Sequence, residues 1–142
     1  MPLAAGLALA LSAALAPAQG LAAAAPTPVQ APAAQTVRQY VESQFADTPV
    51  MIKIASCESQ FRQFDTDGDV LQNPHSTAIG VFQIMASIHK DLADQNLGLD
   101  ITTLEGNVAY AKALYKDQGT TPWNASKACW APKSDKVATA AK

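Results

Sequence analysis

Apolar residues recur at helical spacing along most of the chain after residue 36, and this pattern predicts a series of helices. Thr36 stands in the position of an N-cap. Four apolar residues follow it at helical positions i, i+3, i+4 and i+8, namely Val37, Tyr40, Val41 and Phe45. These side chains share one face, so the segment is predicted to be a first amphipathic helix.

A second helix is predicted from the Thr48–Pro49 pair, which supplies an N-cap and a proline at the first helical position. Residues 61–79 then lose the helical period and are dense in Asp, Gly, Asn and Pro, which predicts a loop. The apolar face of the second helix consists of Val50, Met51, Ile54 and Cys57.

Three more helices are predicted after this loop. The segment 83–96 qualifies because apolar residues step by four along it. Thr102 and Glu105 form a T-x-x-E capping box, so the next helix is predicted to start there and to end before Gly119. A last short helix is predicted over 121–129.

No convincing strand pattern accompanies these helices. The predicted fold class is therefore all-α, with a short hairpin or an irregular loop at 61–79. About 105 residues have this globular character, which is enough for one domain with a modest core.

The beginning of the chain differs in composition from the rest. Its first 37 residues carry no charged side chain, and Leu3–Ala16 has the length of a signal-peptide apolar region. We predict a signal peptide at 1–25, a Pro/Ala linker at 26–35, a folded domain at 36–131 and a disordered tail at 132–142. The protein is then expected to be secreted, periplasmic or in the cell wall. The alternatives for the first segment are an uncleaved membrane anchor and a soluble, disordered tail.

Charge argues against two classes of partner. The chain has 10 Lys and Arg against 12 Asp and Glu, for a net charge of -2. Without a basic surplus, neither a nucleic acid nor an anionic membrane surface is expected to bind it by charge. We expect no membrane association beyond the export signal.

The two cysteines, Cys57 and Cys129, suit an exported protein. In an oxidising compartment one disulfide is the simplest outcome, and two buried free thiols are the alternative. The cysteines and the two histidines show no zinc spacing, so no metal site is predicted from them. Asp65, Asp67 and Asp69 resemble the start of an EF-hand loop but lack its glycine and its final glutamate, which makes them a weak Ca²⁺ candidate and favours an acidic, solvated turn.

Glu58 is the residue best placed for chemistry. It projects from the apolar face of the second helix, near the C-terminal end, where the helix dipole disfavours negative charge. Burial and the dipole would both raise its pKa, which a general acid requires. A glutamate at a helix end that simply reaches solvent is the alternative.

Three blocks in order resemble one enzyme family over about residues 49–130. They are IASCESQF at 54–61, STAIGVFQIM at 76–85, and EGNVAYAKALY at 105–115. These blocks resemble the SLT domains of lytic transglycosylases, lysozyme-like helical domains that cleave the MurNAc–GlcNAc β-1,4 bond of peptidoglycan. The two cysteines add some likeness to resuscitation-promoting-factor domains.

The resemblance implies a role for each matching residue. Glu58 would be the sole acid/base, protonating the leaving oxygen and then deprotonating the MurNAc C6 hydroxyl, so that a 1,6-anhydro end forms without cofactor or water. The SLT domains carry a Tyr-Asn motif that this chain lacks. Trp130 stands near the corresponding position and is the candidate for the aromatic wall of the substrate cleft. The expected partner is a glycan strand of peptidoglycan, and the protein is expected to be a monomer. The other residues implied to bind this strand are Gln83, Tyr110, Asn107 and Ser76.

Two other functions remain open from sequence. A hydrolytic, lysozyme-like muramidase would pair Glu58 with a second carboxylate from the loop, such as Asp65 or Asp69. A cell-wall-binding domain would keep the fold without turnover.

Overall fold

The computed structural model describes residues 34–133. The predicted signal peptide, most of the linker and the tail from residue 134 onward lie outside this range. None of the helices within residues 34–133 has the length and apolar character of a membrane span.

Five α-helices and one 3₁₀ helix make up most of the described fold. The α-helices are α1 (Val37–Gln44), α2 (Pro49–Ser59), α3 (Ala86–Leu97), α4 (Leu104–Gln118) and α5 (Lys127–Trp130). The 3₁₀ helix, Thr121–Ser126, lies between α4 and α5. Thr36 caps α1 as predicted, because its side chain accepts from the Gln39 N–H while the Gln39 side chain accepts from the Thr36 N–H.

The all-α prediction is wrong, since the fold also contains a small antiparallel sheet. Strand β1 (Ala78–Ile79) pairs with β2 (Ile84–Met85), with Ala78 opposite Met85 and Ile79 opposite Ile84. The helix predicted from residue 83 therefore begins only at Ala86. Two-residue strands are too short to produce an alternating pattern. The apolar residues at 84 and 88 are four positions apart, which is also the spacing of a helix face.

The buried side-chain amide of Asn107 holds this hairpin in place. The Asn107 side chain of α4 accepts from the Phe82 N–H (3.0 Å) and donates to the carbonyls of Ile79 (3.1 Å) and Ile101 (3.0 Å). A Cβ added at Gly80, whose φ is +72°, would collide with the Asn107 amide. Only glycine fits here, so the turn is fixed by both conformation and space.

Helix α4 begins one residue later than predicted. Its N-cap is Thr103, whose hydroxyl accepts from the Gly106 N–H at 3.0 Å. Thr102 does not cap the helix, and instead its N–H (2.9 Å) and its hydroxyl (2.7 Å) both donate to the Asp100 carboxylate. A local Asx turn therefore overrides the T-x-x-E pattern.

The core lies between α1, α2, α4 and the hairpin. Phe82 is fully buried at its centre, with its ring 5.3 Å from that of Phe45 and 6.0 Å from that of Trp123. The predicted disulfide, Cys57–Cys129, is confirmed and joins α2 to α5. The disulfide thus fixes α5 to the C-terminal half of α2.

Candidate active site

Glu58 lies in the last turn of α2, beside the hairpin. The next residue, Ser59, is buried, and its hydroxyl donates to the Val81 carbonyl at 2.8 Å. The chain then leaves the helix through two left-handed residues, Gln60 and Phe61. This anchored helix end fixes the position of Glu58 relative to the turn between β1 and β2.

A groove of about 280 Å³ opens at Glu58. Its walls come from the end of α2, the segment before β1, the hairpin, and the 3₁₀ helix. Glu58 is the only titratable side chain among its lining residues within 34–133. They are Glu58, Asn73, Ser76, Ala78, Gln83, Met85, Pro122, Trp123 and Ala125.

The surroundings of Glu58 favour its neutral form. Burial raises the pKa of this carboxyl, and the hydrogen bond from Ser126 lowers it by less than burial raises it. The C-terminal end of α2 also places partial negative charge nearby. Within residues 34–133 the single ion pair is Arg38–Glu42, so no cation compensates the charge of Glu58. A partly buried carboxyl of this kind can act as a proton donor.

Ser126 connects Glu58 to the end of the domain. Its Oγ lies 2.5 Å from Glu58 Oε1 and 3.1 Å from the Trp123 carbonyl oxygen. The indole N–H of Trp130 donates to Ser126 Oγ (3.1 Å) and to the same Trp123 carbonyl (3.0 Å). Ser126 is not among the groove-lining residues, so it contacts Glu58 from outside the groove.

Gln83 presents a free acceptor at the groove. Its backbone has a φ of +47°, an unusual conformation for a residue with a side chain. Its amide nitrogen donates to the Gly80 carbonyl at 2.9 Å, and no donor within residues 34–133 reaches its amide oxygen. Ser76, which also lines the groove, accepts from the Ala78 N–H at 3.2 Å through its hydroxyl oxygen. The hydroxyl proton of Ser76 can therefore be donated to a bound molecule.

Three other residues implied by the resemblance do not line the groove. Asn107 is fully buried and holds the hairpin, as described above. Tyr110 is buried, and its hydroxyl lies 3.0 Å from Nδ1 of His89. Trp130 is buried too, and its indole N–H is linked to Glu58 through the Ser126 hydroxyl. The structure thus brings Glu58, Gln83 and Ser76 together.

The acidic turn is separate from this groove. The Asp65 carboxylate accepts from the backbone N–H groups of Asp67 (2.9 Å) and Asp69 (3.1 Å), and all three residues are exposed. None of them lines the groove. Residues 34–133 contain no group of three or more His, Cys, Asp or Glu side chains that could hold a metal ion.

Among the residues of the site that sequence reasoning missed, three have polar or aromatic side chains. Trp123 forms a wall, and its indole N–H donates to the buried Phe82 carbonyl at 2.9 Å. Asn73 also lines the groove. Ser126 is the third, and no periodicity or motif distinguishes it. The cue for Trp123 was its place in the segment 123–130, which the resemblance to SLT domains sets against their Tyr-Asn motif.

Comparison of the chain with models of protein families, with curated proteins and with solved structures finds no match in any of the three. An activity must therefore be inferred from the groove and from the sequence blocks that build it.

Proposed function

We propose that this protein is an exported peptidoglycan-cleaving enzyme, a lytic transglycosylase that cuts the MurNAc–GlcNAc β-1,4 bond. The observation that carries the proposal is a single carboxyl group with a raised pKa, that of Glu58, at the wall of a groove. The three sequence blocks that resemble SLT domains support it, since they supply Glu58, Ser76 and Gln83 to that groove.

In the first step Glu58 acts as the acid. Its carboxyl proton passes to the glycosidic oxygen, the bond between that oxygen and the anomeric carbon breaks, and the GlcNAc side leaves as an alcohol. Positive charge develops on the sugar ring, and the newly formed carboxylate stabilises it. The raised pKa of Glu58 increases the share of this carboxyl that is protonated, and so able to donate, at a given pH.

In the second step the same carboxylate acts as the base. The C6 hydroxyl of MurNAc attacks the anomeric carbon and gives its proton to Glu58, which returns to its starting form. The products are a 1,6-anhydroMurNAc end and a free GlcNAc hydroxyl, and no water is consumed. One carboxyl suffices because the nucleophile belongs to the substrate.

The groove favours this route over hydrolysis. Glycosidases that use water or a covalent intermediate need a second carboxylate about 5–9.5 Å from the first. No other carboxylate among residues 34–133 lines the groove. Asp65 and Asp69, the candidates for that role in a muramidase, belong to the separate exposed turn.

Glycan recognition is assigned to the free polar groups and the apolar wall. The Gln83 amide oxygen would accept from a sugar hydroxyl or acetamido N–H, and the Ser76 hydroxyl would donate to a sugar oxygen. Met85 and Pro122 are exposed at the groove and offer apolar contact to a sugar face. The disulfide suits the oxidising compartment in which peptidoglycan lies.

A digest of purified peptidoglycan tests the proposal. The oxidised full-length chain would be incubated with peptidoglycan and the products identified by mass spectrometry. We expect anhydro-muropeptides from the wild type and from Glu42→Gln, an exposed control, and none from Glu58→Gln. Reducing-end muropeptides would indicate a muramidase, and binding to the wall without products would indicate a non-catalytic domain.

A further inference from the structure

The Ser126 hydroxyl has two hydrogen-bond acceptors within reach but only one proton to donate. A serine hydroxyl has one proton to donate and two lone pairs to accept with. Both Glu58 Oε1 (2.5 Å) and the Trp123 carbonyl oxygen (3.1 Å) are within hydrogen-bond distance of Ser126 Oγ. Both are acceptors when Glu58 is ionised, so only one of them can receive the serine proton at a time.

When Glu58 is ionised, the serine proton goes to the carboxylate, because a charged acceptor makes the stronger bond. The Trp123 carbonyl is not left unpaired, since the indole N–H of Trp130 lies 3.0 Å from it. Every group of the cluster therefore has a partner in this state.

When Glu58 is protonated on Oε1, it can itself donate to Ser126 Oγ. The serine hydroxyl then donates to the Trp123 carbonyl. The Trp130 indole N–H stays shared between that carbonyl and Ser126 Oγ, which lies 3.1 Å away. All groups are again paired, without movement of any heavy atom.

We propose that Ser126 is a positioning residue that holds the Glu58 carboxyl in one orientation through both of its protonation states, by turning its hydroxyl between Glu58 and the Trp123 carbonyl. This inference rests on the proposed function, in which one carboxyl must act first as an acid and then as a base from the same place.

The elements around Ser126 support such a role. Ser126 ends the 3₁₀ helix, and the following α5 is fixed to α2 by the disulfide Cys57–Cys129. Trp130 is buried, so its indole N–H is held in place. Three helices pack against the 3₁₀ helix, and besides Glu58 their charged side chains are all exposed and form no ion pair within residues 34–133. They are Lys53 on α2, Lys127 on α5, and Glu105, Lys112, Lys116 and Asp117 on α4.

Nuclear magnetic resonance can follow both ends of the cluster in the full-length oxidised chain. The chain has three glutamates and two tryptophans, so carbon-13 carboxyl signals and indole N–H signals are few. We expect the Trp130 indole signal to titrate with the same midpoint as the Glu58 carboxyl. The Trp123 indole N–H is bonded to the Phe82 carbonyl and does not take part in the exchange, so its signal should shift less than that of Trp130.

Substitutions separate this positioning role from a merely structural one. In Ser126→Ala the Trp130 signal should stop following Glu58, and the pKa of Glu58 should rise further because a bond to its ionised form is lost. Peptidoglycan cleavage should fall roughly tenfold, since the carboxyl loses its fixed orientation. Ser126→Thr, which keeps the hydroxyl, should restore the coupled titration and most of the rate, and Ser43→Ala should change neither.

The outcomes for the hydroxyl and for the proposed function are distinct. A Trp130 signal that ignores Glu58 in the wild type, or a Ser126→Ala variant with unchanged rate and titration, would overturn the role of Ser126 even if peptidoglycan is cleaved. Coupled titration that Ser126→Ala abolishes, in a protein that does not cleave peptidoglycan, would support the hydroxyl switch and overturn the proposed function instead.

Discussion

The hydroxyl of Ser126 lies 2.5 Å from the carboxylate oxygen of Glu58, although 68 positions separate the two residues in the chain. Glu58 comes from the end of α2 and Ser126 from the end of the 3₁₀ helix, and the disulfide between Cys57 and Cys129 fixes these two regions together. A covalent bond at the residue just before Glu58 thus maintains the environment of its carboxyl.

Loss of that disulfide should lower stability. In the loop-entropy model a bridge across 72 positions stabilises the folded state by about 4 kcal/mol. We expect the Cys57→Ser, Cys129→Ser double variant to lose most of this amount in urea unfolding monitored by tryptophan fluorescence. A midpoint equal to that of the oxidised wild type would contradict this expectation, and wild type with added reductant is the matched control.

The raised pKa of Glu58 should appear in the pH dependence of stability. Because the folded state holds this proton to higher pH than the unfolded chain does, the linked stabilisation is complete below the unfolded pKa and is lost as pH rises through the folded pKa. The free energy of unfolding of Glu58→Gln should therefore fall less than that of the wild type across this window. Parallel curves for the two proteins, from urea unfolding at a series of pH values, would argue against the raised pKa.

Asn107 should be required for the fold of the hairpin. Its replacement by alanine leaves the Phe82 N–H and the carbonyls of Ile79 and Ile101 without this partner, each at a cost of roughly 1–3 kcal/mol if no water replaces it. We expect Asn107→Ala to lower the free energy of unfolding by at least about 3 kcal/mol. Asn124→Ala, at an exposed position, should change it by less than about 0.5 kcal/mol.

Gln83 should contribute to substrate binding without being needed for stability. Replacement by alanine removes the free amide oxygen at the groove, so the concentration of soluble glycan needed for half-maximal rate should rise about tenfold. The midpoint of thermal unfolding should remain close to that of the wild type. Gln44→Ala, at an exposed position on α1, is the control, and equal kinetics of the two variants would remove Gln83 from the site.

Local signals in the sequence predicted the helices well. The Thr36 N-cap, the proline at the start of α2 and Gly119 after α4 each act within a few residues, so they can be recognised without the fold. The hairpin was missed because its two-residue strands depend on a distant partner, the Asn107 amide. Strands of that length carry no periodic pattern of their own.

Residues of the candidate site were predictable from sequence where a reactive side chain stands at an unusual position or within a motif-like block. Glu58 could be found because a carboxyl on an apolar helix face is unusual, and its partner residues Gln83 and Ser76 came from the motif-like blocks. Ser126 could not, since a serine next to a lysine on a short helix has no distinguishing environment in one dimension. Its role arises only from the approach of the 3₁₀ helix to α2.

The most direct test of a lone acid/base at Glu58 is a digest of peptidoglycan in water enriched in heavy oxygen. Transglycosylation consumes no water, so we expect MurNAc ends that carry no heavy oxygen and that are absent with Glu58→Gln. Incorporation of one heavy oxygen atom at each new MurNAc end would show hydrolysis and would contradict the single-carboxyl mechanism.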